Sequence, residues 1–331
     1  GGQKKQGAAT EPAYPAKGGV HVHGVNNNGL MMTDGVQRML PIMALLSAMV
    51  LWGSSFVALK YSFQEMHPLA VILGRMVVAS LCFLPFYRSF ARAGLRRHHM
   101  VPLACMCLCE PCCYFLFESL ALVYTSASQA SMITTMLPLM VALAAGLMLG
   151  ERITRRTIGG FFLAAAGALW LSLGGEGTDQ APHPALGNFL EFMAMVCATG
   201  YTILMKRLSK ELHPFFLTGI QAFTGAVFFA PVLLLPSVQA SALSIGGIGA
   251  VLYLGIVVSV GAYGLYNFGV SRIPASQASA FVNLIPVFSI LFGFLLLGER
   301  LNFWQWMACT LVFTGVLVSQ DTTSGQRREA V

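Results

Sequence analysis

The sequence predicts an all-α integral membrane protein with ten transmembrane helices arranged as two inverted five-helix repeats. Three observations carry that prediction. Hydrophobic residues make up 56% of the 331 and charged residues only 10%, with a mean hydropathy of +0.69, whereas soluble domains carry about a quarter charged residues. Ten apolar stretches approach the roughly 20 residues that a bilayer-spanning helix needs. The landmarks of the first five stretches recur, in order, in the second five.

Taken in order, the first five spans lie near 40–60, 68–87, 100–122, 127–148 and 155–174. The second five lie near 185–206, 214–236, 244–270, 275–297 and 303–320, with short polar connections between them. Nothing the size of a soluble domain is left over. Residues 1–37 are polar and rich in Gly, Asn and Gln, without the apolar core of a signal peptide, so they read as a disordered cytoplasmic tail. Met31 or Met32 offers a start site inside that tail, and residues 321–331 form a second cytoplasmic tail.

The repeat decides the architecture. Ala127-Ser128-Gln129-Ala130-Ser131 recurs as Ala275-Ser276-Gln277-Ala278-Ser279, an offset of 148. Pro138 then matches Pro286, Gly150-Glu151-Arg152 matches Gly298-Glu299-Arg300, and Gly167 matches Gly315. Earlier in each half the offset is 146, pairing Lys60 with Lys206, Glu65 with Glu211 and His67-Pro68 with His213-Pro214. Five spans is an odd number, so the two halves enter the membrane in opposite senses. Inverted repeats are the plan of secondary transporters, with substrate near the midplane and access alternating as the halves rock.

Charge fixes the expected orientation. With the N-terminus inside, 17 Lys and Arg fall on the cytoplasmic side, only Lys60 and Arg300 outside, and Arg75 within a span. That asymmetry places both termini in the cytoplasm. The net charge of +7 is dispersed over loops rather than gathered on one exposed face, which excludes a nucleic-acid partner. The expected partners are the lipid bilayer and a small-molecule substrate. Ten spans close a cavity within one chain, so a monomer suffices and a homodimer stays open.

Several motifs give the chain a family likeness. They are Trp52-Gly53-Ser54-Ser55-Phe56, His67-Pro68 followed by Arg75, Tyr124-Thr125-Ser126-Ala127 with Leu137-Pro138-Leu139, and the doubled Leu-Gly-Glu-Arg at 149–152 and 297–300. Over residues 40–320 the sequence thereby resembles the drug/metabolite transporter superfamily, in its EamA-like branch of ten-helix permeases. The resemblance implies a bacterial inner-membrane exporter of amino acids or similar small metabolites.

Ionisable groups inside spans are costly and functional by default; here they are Arg75, Glu110, Glu118 and Glu191. Arg75 and Glu118 fall at similar depths in the second and third spans, so an ion pair between them is expected, for transport or simply to orient two helices. Glu110, Tyr114 and Glu118 are spaced i, i+4, i+8 and share one helical face, beside a kink expected at Pro111. Burial of Glu110 near mid-membrane suits a proton-coupling group, with a hydrogen-bonded packing role as the alternative. Glu191 and Asn188, near the start of the sixth span, are expected at the interface, with cavity lining as the alternative. Trp52, Ser54, Ser55, Gln129, Tyr201, Tyr266, Asn267 and Asn283 could contact substrate, their aromatic and amide groups suiting a small zwitterion. Most Ser and Gly positions read as helix packing, and the Gly-Glu-Arg ends as interfacial turns, with a gating role as the alternative.

Other chemistries find little support. No Gly-rich loop ending in Gly-Lys-Ser or Gly-Lys-Thr is present, so direct use of ATP is not expected. No Ser/His/Asp or His-Glu-x-x-His pattern points to an enzyme, and the seven His fall in the tail or loops. Cys105, Cys107, Cys109, Cys112 and Cys113 crowd the third span, but no second cluster completes a tetrahedral site. They read as small hydrophobes, and neither a metal nor another cofactor is expected. A multidrug or lipophilic-cation carrier and a cysteine-based membrane sensor are the alternatives to metabolite export.

Overall fold

A computed structural model describes residues 1–2, 27–91, 94–151, 153–173, 177–179, 181–239 and 244–319. Among them the chain is helical throughout, with a single isolated β-bridge between Thr178 and Ala181. The helices are α1 (Asn27–Glu65), α2 (Pro68–Phe86), α3 (Arg97–Tyr124), α4 (Ala127–Leu149) and α5 (Arg155–Leu173). The second half supplies α6 (Pro184–Leu208), α7 (Pro214–Leu234), α8 (Ile245–Arg272), α9 (Ala275–Leu297) and α10 (Phe303–Ser319). Eight of them are long and apolar enough to cross a membrane, α1 by its part from Met39 onward. In α5 the apolar run is the shorter Ile158–Leu171. Large apolar side chains such as Leu147, Val227, Leu296 and Phe303 face outward, as lipid-facing groups must.

Two boundaries differ from the sequence reading. Residues 27–37, expected in the tail, continue α1 as helix, since each added residue needs only one more hydrogen bond once a helix is nucleated. Residues 3–26 of that tail and residues 321–331 lie outside the described residues. Helix α3 starts at Arg97 rather than near 100, which puts His98 and His99 in its first turn and buries His99. The His99 ring caps that turn, its Nδ1 accepting from Arg96 N at 3.2 Å.

The repeat is visible in local chemistry. Proline opens both α2 and α7, where its missing N–H costs nothing. His67 Nδ1 accepts from Leu69 N and His213 Nδ1 from Phe215 N, at 3.3 and 3.2 Å. Helices α4 and α9 both lose regular α-geometry just before the matched Pro138 and Pro286, at Thr134–Thr135 and Phe281–Leu284, as proline interruption requires. Both end on a glycine in the left-handed region, Gly150 (φ 73°) and Gly298 (φ 67°), where a side chain would be strained. Helices α5 and α10 pack through the other matched pair. A Cβ on Gly167 would lie 2.8 Å from Val312 N, and one on Gly315 would lie 2.8 Å from Gly160 O. Small residues are what permit such close approach in a membrane.

The two ends of the bundle are named here by their loops. The basic face carries the loops around 94–96, 209–213 and 273–274. The opposite face carries those around 66–67, 125–126 and 298–302.

Candidate functional site

Helix α3 cannot run straight. A residue preceding proline is pushed out of the α-region, and Glu110 accordingly adopts φ −149°, ψ 120° within a wider turn spanning Leu108–Cys113. The interruption sets Glu110 beside a cavity of about 500 Å³ between the helices. Arg75, Tyr114 and Glu118 line the same cavity. The kink expected at Pro111 is present; Glu110 leaves the helical run, so the three residues meet at the cavity through the kink and not as one regular helical face. A smaller cavity of about 250 Å³ continues from it on the far side of Glu110 and Tyr263.

Arg75 is 1% exposed. Its Nη1 lies 3.9 Å from Glu118 Oε2, its Nε donates to Ser259 Oγ at 3.0 Å, and its guanidinium lies 4.3 Å from the centroid of Phe115. The pair predicted from sequence forms, yet 3.9 Å exceeds hydrogen-bond length. Glu118 Oε1 accepts from Tyr114 OH at 2.8 Å, while Oε2 has no hydrogen-bond partner among the described residues. Glu110 lines both cavities together with Tyr263, and Gln221 Nε2 donates to its backbone oxygen at 3.1 Å.

The facing wall is aromatic. Trp52 packs on Tyr266 and Tyr263 with centroids 4.8 and 5.0 Å apart, and Tyr201 lines the cavity beside them. The Trp52 indole Nε1 is buried with no hydrogen-bond partner among the described residues, leaving a donor ready for a ligand acceptor. Ser55 also lines the cavity, but its hydroxyl donates to Trp52 O of its own helix at 2.7 Å. Ser54 bonds Tyr253 at 2.6 Å.

Three of the expected contact residues stand behind the wall rather than in it. Asn267 accepts a short hydrogen bond from Tyr201 and donates to Thr218 at 2.8 Å and Gln221 at 3.2 Å, so it positions the tyrosine. Gln129 accepts from Asn188 Nδ2 at 3.3 Å, and Asn188 in turn accepts from Thr125 at 3.0 Å. Asn283 is not among the lining residues, and its Oδ1 is buried with no hydrogen-bond partner among the described residues. Helix rotation, which periodicity in a uniformly apolar span leaves open, decides each case.

Glu191 and Asn188 are 0% and 1% exposed, enclosed by the helices packed around α6, and neither lines the cavity. Both Glu191 oxygens lack hydrogen-bond partners among the described residues.

The repeated motifs turn out to bond to one another, which their spacing alone did not disclose. Near the opposite face, Lys60 Nζ donates to Leu122 O and Thr125 O at 2.6 and 2.8 Å, capping the end of α3. Glu299 of the other repeat accepts from Ala127 N and Ser128 N, both at 2.9 Å, and from Ser128 Oγ at 2.6 Å, capping the start of α4. On the basic face, Lys206 Nζ donates to Val270 O and Ile273 O at 2.8 and 2.7 Å. Glu151 accepts from Ala275 N at 3.2 Å, Ser276 N at 3.4 Å and the Ser276 hydroxyl. A cation at a helix C-terminus and a carboxylate at an N-terminus both oppose the end charges of the helix dipole. The matched offsets of Lys60/Lys206, Ala-Ser and Gly-Glu-Arg were the available signal. Lys60 is 6% exposed, a buried helix-end group rather than a loop charge.

A further contact joins the halves on the basic face. Glu211 Oε2 lies 3.1 Å from His99 Nε2 and 3.2 Å from His98 Nε2. Among the described residues this is the one His/Cys/Asp/Glu group that converges closely enough for a metal. Because His99 Nδ1 accepts from Arg96 N, its Nε2 carries the proton and donates to the carboxylate, which makes a hydrogen-bonded latch. Those donors, His99 first and then His98, hold the Glu211 carboxyl below its ordinary value. A depressed carboxyl stabilises the fold above the unfolded-state value and loses that contribution as pH falls through the folded one. In a carboxyl-carbon NMR titration Glu211 is expected to titrate below free glutamate, and His99→Ala should move it back toward the ordinary value. The cysteines show no such convergence: all eight are free thiols, ranging from exposed Cys105 to buried Cys112.

With this geometry in view, the likeness to known proteins is direct. The uncharacterized transporter YetK of Bacillus subtilis is 27% identical over 59% of this chain, a match that spans 60% of that protein. A protein of Streptantibioticus cattleyicolor named "Probable terminal-alkyne amino-acid exporter" is 25% identical over 87% of this chain and 96% of its own length. A solved crystal structure covers 88% of this chain and 99% of its own at a TM-score of 0.63 and 19% identity, which speaks for the fold alone. The pattern of the EamA-like transporter family matches twice, over residues 39–173 and 185–319, once for each repeat, and the chain therefore belongs to that family.

Proposed function

We propose that this membrane transporter exports amino acids or related small zwitterions by alternating access, driven by the proton gradient or by exchange, across a bacterial inner membrane with both termini in the cytoplasm. The observation that carries the substrate class is the set of ligand-ready groups around one cavity. These are a guanidinium held only loosely by Glu118, and a carboxylate oxygen and an indole N–H that have no hydrogen-bond partner among the described residues. A zwitterion satisfies all three. Its carboxylate takes Arg75 and Trp52, its ammonium takes Glu118 and Glu110, and its side chain lies on Tyr263 and Tyr266. The relative named as an amino-acid exporter supports the same reading.

The two Lys–Glu clasps supply the moving parts. One lies toward each face, and each joins the repeats through a glutamate reaching across. In our reading the transport cycle opens one while the other holds.

Efflux of a panel of labelled amino acids from cells, with and without a proton gradient, tests the proposal. One or a few members should leave faster with the wild-type protein, and Glu110→Gln should slow that efflux about tenfold, a loss of the order of one charged hydrogen bond. If the wild type moves no member of the panel, the substrate class is wrong. The aromatic wall beside two carboxyls favours one second reading, a lipophilic-cation carrier, which resistance of expressing cells to such cations would reveal.

A further inference from the structure

We infer that Gln221 and Asn267 are positioning residues of the transport cavity, a buried amide pair that ties the Tyr201 hydroxyl on one wall to the break in α3 that carries Glu110 on the other. The role of the pair rests on the transport reading above, while the tie itself is measurable without transport.

The break in α3 leaves a backbone oxygen to be satisfied. In a regular helix Glu110 O accepts from the N–H four residues on, but Tyr114 N–H bonds Cys109 O and Pro111 O instead. Gln221 Nε2, reaching from α7, donates to Glu110 O at 3.1 Å. A buried carbonyl without a donor is costly, so this contact, from a side chain on a residue only 5% exposed, sets where the break sits. The face of α7 is shaped to receive it. Thr218, Gln221, Ala222 and Gly225 follow the i, i+3, i+4, i+7 spacing of one helical face. A Cβ on Gly225 would lie 2.8 Å from Pro111 Cγ, so the missing side chain there lets α7 approach the proline.

From Gln221 the bonds run on to the other wall. Its Oε1 accepts from Asn267 Nδ2 at 3.2 Å, Asn267 Nδ2 also donates to Thr218 Oγ1 at 2.8 Å, and Asn267 Oδ1 accepts from Tyr201 OH. Chemistry sets the direction. Thr218 gives its own proton to Pro214 O at 3.0 Å, and Glu110 O can only accept. Turning either amide over would therefore set oxygen against oxygen. Every donor points the same way, from Tyr201 through Asn267 and Gln221 to Glu110 O, and aligned buried bonds polarise one another. Asn267 is 0% exposed, which closes the chain to bulk water.

The inverted repeat gives the position its meaning. By the offset of 146, Gln221 matches Arg75. Arg75 Nε reaches from α2 to Ser259 Oγ of α8 at 3.0 Å, as Gln221 reaches from α7 to Glu110 O of α3. Each is a long donor from the second helix of one repeat to the third helix of the other. The charged copy lines the larger cavity. The neutral copy and Asn267 are not among its lining residues, whereas Tyr201 and Glu110 are. A substrate resting on Tyr201 thus acts on the seat of Glu110 through two side chains that it does not touch.

Hydrogen-exchange mass spectrometry of the purified full-length protein in lipid nanodiscs tests the tie. Gln221→Met keeps the length of the side chain without its hydrogen bonds, and it should raise amide exchange across the Leu108–Cys113 turn about fivefold, the loss of roughly one hydrogen bond. Tyr201→Phe removes one hydroxyl on α6 and should raise exchange in the same turn of α3, and adding it to Gln221→Met should raise exchange no further. Thr202→Val, which removes the neighbouring hydroxyl that lies 3.3 Å from Tyr266 OH, should leave the turn unchanged. If Gln221→Met or Tyr201→Phe leaves the turn unchanged, or Thr202→Val loosens it as much, the inference is overturned. Tyr201→Phe decides the tie even where Gln221→Met does not fold. In efflux of labelled amino acids from liposomes, Gln221→Met and Tyr201→Phe should each slow transport about fivefold and their double variant no more than the slower single, whereas losses that multiply to about 25-fold overturn the coupling. A wild type that moves no amino acid defeats the transport proposal instead, and the exchange result then decides the tie alone.

Discussion

Arg75→Ala is expected to reduce substrate efflux at least about 30-fold and to destabilise the folded protein, and the two losses should separate in a double variant. The guanidinium is 1% exposed and is, among the described residues, the one ion-pair partner of Glu118, itself 3% exposed. Removing one member of a buried pair leaves the other uncompensated, at a cost of about 3–5 kcal/mol. Neutralising Glu118 as well removes that penalty, so Arg75→Ala/Glu118→Gln should recover most of the thermal stability lost in Arg75→Ala. Transport should stay lost, because truncating one charge partner of a bound ligand costs about 2–5 kcal/mol and nothing replaces the guanidinium. Thermal unfolding in detergent and efflux in cells give the two readouts. Normal efflux in a well-folded Arg75→Ala would remove Arg75 from substrate recognition.

Opposite conformational biases are expected from Glu151→Gln and Glu299→Gln. Each carboxylate accepts two backbone N–H bonds and one hydroxyl bond from the other repeat. Hydrogen bonds to a charged group contribute about 1.5–3 kcal/mol each. The amide keeps the shape but loses the charge and turns one acceptor into a donor aimed at backbone N–H groups. A bias of about 2 kcal/mol shifts a two-state population about 30-fold. Spin-label distances across each face should therefore lengthen on the basic face in Glu151→Gln and on the opposite face in Glu299→Gln. Both variants should transport slowly, since a cycle biased to one side waits on the other. If both change the same face, or neither changes any distance, the clasps cap helices without controlling access.

The same helix ends explain how the sequence could show a motif without showing its purpose. Ala-Ser-Gln-Ala-Ser and Gly-Glu-Arg stood out because each appears twice at one offset, and the glycine follows from a helix ending in the left-handed region. That the glutamate of one copy caps the alanine-serine turn of the other is a contact between residues 124 or more positions apart. It depends on how the halves dock, which no local pattern encodes.

What the sequence by itself determined is the membrane, the ten helices and the doubled, inverted plan. Bilayer crossing is a matter of length and hydropathy along the chain, and repetition is read by comparing the chain with itself. The Arg75–Glu118 pair and the grouping of Glu110, Tyr114 and Glu118 at one cavity were legible too, because charges are so rare in these spans that few pairings exist. Only the tertiary structure decided that Glu191 is sealed inside, that Asn267 and Gln129 brace the cavity rather than line it, and that Lys60 and Lys206 close helix ends. In spans apolar on every side, periodicity does not mark the inward face, so a polar residue's role is set by the neighbour against which its helix happens to be packed.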